Sequence, residues 1–161
     1  MLAVNVICVG KLKEAYWREA CAEYQKRLSA YCRFSVIELS EARLSQKPTE
    51  GEIASALSRE AKQMEPYIAQ KGAFSVALCV EAPQLSSEQL SQKIEAAAVG
   101  GAGTVNFFIG SSFGLSDEIK RACDFRLGLS KLTFPHQLTR VILFEQIYRA
   151  LSISAGAKYH K

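Results

Sequence analysis

The sequence predicts a three-layer α/β domain with a mostly parallel sheet, and three observations support that prediction. Short apolar runs alternate along the whole chain with segments of helical periodicity, which is the pattern of α/β folds. Several runs are apolar at almost every position, as in strands that are buried on both faces of a parallel sheet. The 161 residues contain no linker, repeat or low-complexity segment, so we expect a single domain over residues 1–161.

An amphipathic helix separates the first two predicted strands. Residues 2–9 form an apolar run that ends at Gly10, and residues 34–39 form the second run. Residues 11–29 carry apolar side chains near helical spacing and cations on the other face. A solvated face accounts for those cations better than a phosphate-binding surface does.

A polar loop and a second helix lead to the third strand. Residues 40–51 contain Pro48 and show no periodicity, so they are predicted to form a surface loop. Residues 52–69 have helical periodicity, and Pro66 is predicted to end or kink that helix. Residues 74–80 form the third apolar strand.

The third helix carries a start signal and a stop signal. Ser86 and Gln89 have the spacing of a capping box for a helix that continues to about residue 99. The glycine-rich residues 100–103 end the helix, and residues 104–109 form the fourth strand.

The last part of the sequence predicts a short helix, a strand and a long helix. Ser116 can cap the short helix, whose first turn holds two carboxylates, as the helix dipole favours. Residues 125–129 form a weaker fifth strand, and Pro135 suits the start of a helix that ends near residue 154. Apolar side chains cover more of this helix than one stripe. We therefore expect its second face to pack on another copy of the chain, in a homodimer.

Composition and charge narrow the possible function classes. The net charge of +4 is compatible with a nucleic-acid partner without requiring one. The five cysteines lack metal-ligand spacing and there are only two histidines, so we expect no metal. No run has the length or flanks of a signal peptide or a membrane span. These features predict a cytoplasmic protein without a membrane partner.

The loop after the fourth strand permits more than one interpretation. Residues 110–114 match G-x-S-x-G, the nucleophile turn of α/β-hydrolases, with Ser112 as nucleophile. His160 and either Asp124 or Glu145 would have to complete the triad. The chain is short for that fold and has no H-G-G-G-type oxyanion segment, and it has no phosphate-binding G-x-x-x-x-G-K-[ST] motif either. On pattern alone, a tight turn without chemistry accounts for the glycines best.

Several longer segments together resemble one known family. These segments match in order and in spacing along the whole chain, so together they are far more specific evidence than the serine motif. The segments are VGKLK at residues 9–13, IGSSFGL at residues 109–115, LSKLTFPHQLTRV at residues 129–141, EQIYRA at residues 145–150 and YHK at residues 159–161. They closely resemble the ribosomal large-subunit methyltransferase H family, of the SPOUT class of methyltransferases.

The resemblance implies a specific reaction and a specific fold. It implies transfer of a methyl group from S-adenosylmethionine to N3 of a pseudouridine in the helix 69 loop of 23S ribosomal RNA. It also implies a homodimer that acts on ribosomal RNA in the assembled ribosome. The SPOUT fold would thread the C-terminal part of the chain through a trefoil knot, a rare exception to unknotted topology.

The resemblance places the cofactor between the loops that follow three strands. Gly110 would let the backbone approach the cofactor closely, and apolar side chains would wall the adenine while backbone groups bind its edge. The implied cofactor-binding residues are Leu78, Gly110, Leu129, Ser130, Lys131, Leu132, Thr133 and Phe134.

The resemblance also implies a catalytic tail. The acceptor nitrogen is an imide that must lose its proton, so a base or a group that stabilises the anion would help. Arg149 is expected to hold the RNA or the developing charge, while Tyr159 and His160 position the base. His160 is the preferred proton acceptor, because imidazole exchanges protons near neutral pH. This tail of one protomer would reach the cofactor pocket of the other. His136 is expected only to support the loop and the helix start.

The chain departs from the family pattern at three places, which leaves cofactor affinity open. Ser111 stands where a second glycine is common, and Cys79 and Ala82-Pro83 replace an acidic residue and a Gly-Lys pair. Lys11, Lys13 and Lys131 are candidate phosphate contacts, although solvated lysines are the ordinary interpretation. A non-catalytic RNA-binding dimer is a further alternative, and a surface ion pair is the simplest role for Glu145 and Arg149.

Overall fold

Strands and helices alternate through the whole chain in the computed structural model, which describes residues 1–161. The strands are β1 (Ala3–Val9), β2 (Arg33–Leu39), β3 (Ala73–Leu78), β4 (Thr104–Ile109) and β5 (Phe125–Leu127). The helices are α1 (Ala15–Leu28), α2 (Glu50–Ile68), α3 (Ser87–Val99), α4 (Asp117–Ala122) and α5 (His136–Ser154). The strands form one sheet in the order β2-β1-β4-β3-β5, and all four strand pairs are parallel. The predicted α/β class is confirmed.

The helices cover both faces of the sheet and make three layers. Helices α1, α3 and α5 pack on one face, where Phe107 and Phe144 are fully buried. Helices α2 and α4 pack on the other face, where Phe108 lies against Met64 and Ile119. The adjacent residues Phe107 and Phe108 enter opposite cores because successive strand side chains point to opposite faces.

A row of buried and half-buried polar side chains crosses the centre of the sheet. Asn5 of β1 lies beside Asn106 of β4, which lies beside Ser75 of β3. Asn106 is fully buried, accepts a hydrogen bond from the Asn5 side chain at 2.8 Å and donates to the Tyr67 carbonyl at 2.8 Å. Asp124, just before β5, accepts hydrogen bonds from the Ser75 backbone N–H at 2.7 Å and the Ser75 hydroxyl at 2.9 Å. Each polar side chain of this row therefore has a hydrogen-bond partner.

Two helix starts form as the sequence predicts. The Ser86 hydroxyl accepts from the Gln89 N–H at 3.1 Å, while the Gln89 side chain accepts from the Ser86 N–H at 2.8 Å, which completes the capping box. The Ser116 hydroxyl accepts from the Ile119 N–H at 3.2 Å and caps α4. Both caps are confirmed, and both satisfy N–H groups that a helix start leaves unpaired.

Some boundaries differ from those predicted. Helix α1 begins at Ala15 instead of residue 11, and α2 continues through Pro66 to Ile68, so Pro66 does not end it. Strand β5 ends at Leu127, and Gly128 forms an isolated parallel bridge with Gln84, in which its N–H donates to the Pro83 carbonyl at 3.0 Å. None of the helices combines the length and the apolar character needed to cross a bilayer. The trefoil knot stays a prediction.

Candidate functional site

A cavity of about 650 Å³ lies where β3, β4 and β5 end, and most of the predicted cofactor residues line it. These three strands are neighbours, so their carboxyl ends share one edge of the sheet, the usual place for a ligand in an open α/β fold. Of the eight predicted residues, seven line the cavity: Leu78, Gly110, Leu129, Ser130, Leu132, Thr133 and Phe134. Lys131 is exposed and does not line it.

Gly110 lines the cavity and has a physical role in its own loop that the sequence did not reveal. A Cβ on Gly110 would lie 2.2 Å from both the carbonyl carbon and the oxygen of Gly114, and 2.7 Å from the Leu115 nitrogen. The missing side chain therefore makes room for the backbone of its own loop; that it also lets the cofactor approach the backbone stays a prediction. Gly114 itself has a φ of 77°, in the left-handed region that glycine adopts without strain. The two glycines together allow this loop to fold tightly beside the cavity.

The loop of residues 129–134 offers free backbone groups to a ligand. Its N–H and C=O groups form no hydrogen bonds to other backbone, and only the Leu132 N–H is taken, by the Ser130 hydroxyl at 3.0 Å. The Leu132 side chain is 71% exposed although it is large and apolar. Unpaired backbone groups require a partner from water or from a ligand. Apolar walls beside such groups are the combination that a purine ring needs.

Gly128 lies between the cavity-lining residues Leu127 and Leu129 and was not singled out from the sequence. A Cβ at this position would lie 2.4 Å from the Ala82 carbonyl oxygen, so only glycine fits without moving the loop after β3. The contact joins two of the loops that line the cavity. A glycine inside the predicted fifth strand was the available signal.

An ion pair at the cavity was also missed. Glu81, in the loop after β3, lies 2.8 Å from the Lys120 ammonium on α4, and both residues line the cavity. This hydrogen bond with Lys120 lowers the pKa of the Glu81 carboxyl. Glu81 stands two positions beyond Cys79, where the family pattern would place its acidic residue, and that displaced carboxylate was the available signal.

The predicted catalytic residues meet in a second place, which we call the tail cluster: Glu88, Glu145, Arg149, Tyr159 and His160. Glu145 Oε1 accepts from Arg149 Nε at 2.9 Å, from Arg149 Nη2 at 2.5 Å and from the Tyr159 hydroxyl at 3.1 Å. The Arg149 guanidinium carbon lies 4.7 Å from the centre of the Tyr159 ring. His160 Nδ1 lies 3.3 Å from Arg149 Nη1, and His160 Nε2 lies 2.6 Å from Glu88 Oε1.

The tail cluster and the cavity lie apart in a single chain, since none of the five cluster residues lines the cavity. The expected ion pair between Glu145 and Arg149 is present. Glu88 was not singled out from the sequence, because a residue 72 positions before His160 gives no local signal of their contact. His136 lines the cavity at the first position of α5, whereas Lys11 and Lys13 are exposed after β1.

The geometry does not support a serine hydrolase. Ser112 is exposed and makes no side-chain hydrogen bond, while the carboxylates proposed for its triad bind elsewhere: Asp124 to Ser75 and Glu145 to Arg149. His160 contacts Glu88 and Arg149 instead of Ser112. Nor do three or more His, Cys, Asp or Glu side chains converge as a metal ion would require.

Comparison with known proteins agrees with this arrangement. The family model "Predicted SPOUT methyltransferase" matches residues 2–160. "Ribosomal RNA large subunit methyltransferase H" of Streptococcus equi subsp. zooepidemicus (strain MGCS10565) is 41% identical over 160 residues, which is 99% of this chain and 100% of that protein.

Solved structures share the fold at low sequence identity. A probable methylase family protein from Haemophilus influenzae Rd KW20 is 10% identical with a TM-score of 0.57, over 98% of this chain and 70% of that one. A Legionella pneumophila protein solved with the bound cofactor SAM is 12% identical with a TM-score of 0.51, over 95% of this chain and 66% of that one. At such identities the likeness concerns the fold alone.

Proposed function

This chain belongs to the SPOUT methyltransferase family and, within it, to the ribosomal RNA large subunit methyltransferase H family, and we propose that it methylates N3 of a pseudouridine in the helix 69 loop. It is a methyltransferase of large-subunit ribosomal RNA that uses S-adenosylmethionine as donor. The finer assignment of base, atom and helix is the proposal. We further propose that a single domain, residues 1–161, performs this reaction in the cytoplasm on the assembled ribosome.

The cavity at the ends of β3, β4 and β5 is the observation that carries the proposal. Its volume of about 650 Å³ is within the usual range for small-molecule sites. Free backbone groups of residues 129–134 can bind the edge of the adenine, while Leu78, Leu129 and Phe134 supply apolar walls. When bound, the sulfonium of S-adenosylmethionine supplies an activated methyl group, so neither a nucleophilic Ser112 nor a metal is required.

The tail cluster is suited to act on the acceptor base. The imide nitrogen gains negative charge as its proton leaves, and a fixed cation stabilises such charge. Arg149 uses three of the five N–H groups of a guanidinium on Glu145 and His160, which leaves two for the RNA. Tyr159 packs on the guanidinium and keeps it in place. Arg149, Tyr159 and His160 are therefore the proposed catalytic group.

A homodimer would bring this cluster to a cofactor. Within one chain the cluster residues do not line the cavity, so a complete site needs the tail of a second copy. Helix α5 keeps Leu138, Ile142 and Ile153 only partly buried, and a partner can cover them. Because the net charge is only +4, we expect shape recognition of the ribosome to add to phosphate contacts.

Methylation of purified ribosomes tests the proposal. Ribosomes from cells that lack this protein are incubated with the enzyme and labelled S-adenosylmethionine, and the modified nucleotide is mapped by mass spectrometry. We expect one methyl group on a helix 69 pseudouridine with assembled ribosomes, and far less on free RNA. Arg149→Ala should abolish transfer while cofactor binding persists, whereas Arg59→Ala, an exposed arginine on α2, should change neither. Methylation of another nucleotide would refute the proposal.

A further inference from the structure

The hydrogen bonds around His160 determine which of its nitrogens carries the proton. Nδ1 lies 3.3 Å from Arg149 Nη1, and a guanidinium has only donors, so Nδ1 must present its lone pair. Nε2 lies 2.6 Å from the Glu88 carboxylate, which only accepts when ionised, so Nε2 must carry hydrogen. The two contacts together match an imidazole that carries its proton on Nε2.

Glu88 is well placed to keep its charge. It lies in the first turn of α3, where the helix dipole favours an anion. Its own backbone N–H and the His160 imidazole lower the pKa of the Glu88 carboxyl to about 2. The carboxylate is thus ionised throughout the neutral range and can orient the imidazole by accepting from Nε2.

We propose that Glu88 is a positioning residue that, with Arg149, holds His160 as the Nε2–H tautomer, so that His160 steadies the Arg149 guanidinium and does not accept the proton of the methyl acceptor. Protonation of Nδ1 would point an N–H at the N–H of Arg149 and break their hydrogen bond. The Nδ1 lone pair thus accepts from Arg149 and is not free to accept a proton from the methyl acceptor. This inference rests on the proposed function, and it replaces the expectation that His160 is the base.

The other charged groups around the ring agree with this role. On α5, Glu145 neutralises much of the Arg149 charge, and Tyr159 donates its hydroxyl to the same carboxylate. On α1, Arg27 and Tyr24 lie beside Tyr148, in the aromatic cluster that also holds Tyr159. Glu88 is the only carboxylate that contacts the imidazole directly. It is therefore the residue whose removal should free His160.

Nitrogen-15 spectra of the two imidazoles test the tautomer in the protein alone, without cofactor or ribosome. Histidine-labelled protein is compared at pH 7.5 with His160→Ala, which identifies the His160 signals against those of His136. We expect a protonated Nε2 and an unprotonated Nδ1. In Glu88→Ala the signals should move to the average of exchanging tautomers, whereas Glu95→Ala, an exposed glutamate on the same helix, should leave them unchanged. An Nδ1–H tautomer, or an imidazolium at this pH, would overturn the proposal.

Kinetics on ribosomes give a second readout. We expect Glu88→Ala to lower kcat about tenfold, equivalent to ~1.4 kcal/mol, with an unchanged KM for the cofactor. His160→Ala should lower kcat but leave the shape of the rate–pH profile unchanged. If the variant instead loses the acidic limb of that profile, His160 is the base and the proposal is wrong. If no methyl transfer occurs at all, the proposed function fails while the spectra still decide the tautomer.

Discussion

Replacement of Gly110 by alanine measures how far the cofactor cavity depends on one tight loop. The new Cβ would lie 2.2 Å from two backbone atoms of Gly114, whereas ordinary contacts of a Cβ begin near 3.4 Å. The loop must therefore move by more than 1 Å, and its backbone cannot yield as a flexible side chain would. Overpacking of this kind costs about 1–3 kcal/mol, and we expect Gly110→Ala to fall near the upper end.

Urea unfolding and calorimetry with S-adenosylmethionine provide the assay. We expect Gly110→Ala to lower the free energy of unfolding by roughly 3 kcal/mol. We also expect cofactor affinity to fall at least about tenfold, since the displaced loop lines the cavity. Gly103→Ala is the matched control: its Cβ would meet nothing within 4 Å, so it should be neutral or slightly stabilising.

The comparison between the two alanine variants decides whether the reasoning holds. If Gly110→Ala matches Gly103→Ala in both stability and cofactor affinity, the loop after β4 can shift at little cost. The close approach between Gly110 and Gly114 then does not constrain it. If stability falls while affinity is kept, Gly110 serves the fold but does not shape the cavity, and that result would refute the second half of the prediction.

Two further predictions concern buried groups. Burial raises the pKa of the Cys8 thiol to about 12 and that of the Cys32 thiol to about 11, against an ordinary value of 9.0. Above pH 9 these thiols therefore lose their protons in the unfolded chain but keep them in the folded chain. The free energy of unfolding should not change on this account below pH 9. From pH 9 to 11 it should fall by about 1.4 kcal/mol per pH unit for each thiol. Urea titrations without such a fall would contradict this prediction. Arg140, whose side chain is 4% exposed, donates to Glu38 at 2.7 Å and to the Gly10 carbonyl at 3.1 Å. Arg140→Met should therefore cost about 2–3 kcal/mol in thermal or urea unfolding, and the exposed Lys26→Met almost nothing; equal stabilities would show that the pair contributes little.

Local patterns were sufficient to predict the elements of the fold. Nearly continuous apolar runs predicted the three central strands, β1, β4 and β3, because a central strand in a parallel sheet is buried on both faces, whereas the edge strands β2 and β5 gave weaker patterns. The Ser86 capping box predicted the start of α3 because both partners lie within one turn. The fifth strand was predicted to end at residue 129 but ends at Leu127, and Gly128 pairs instead with the distant Gln84, which no local pattern shows.

The candidate site was predicted less completely, because its contacts join distant parts of the chain. Seven of the eight residues that the family resemblance supplied line the cavity, but the resemblance did not reveal the contact between Gly110 and Gly114, since a sequence shows that a side chain is absent and not what fills the space. The pairs Glu88–His160 and Glu38–Arg140 span 72 and 102 positions. Charge pairing at such separations leaves no periodic signal, so only the folded structure reveals it.

The polar row explains how the loops after β3 and β4 come to begin at the same level of the sheet. Asn5, Asn106 and Ser75 lie at one level of the sheet, and Leu78 and Ile109 each end a strand three residues beyond that row. A slip of one residue in either pair would turn buried side chains to the opposite face and leave amides without partners, which is costly in an apolar interior. Apolar residues alone, being nearly interchangeable along these strands, would specify the register weakly. The hydrogen bonds of the row therefore specify the alignment of β1, β4 and β3, and with it the level at which the cofactor loops begin.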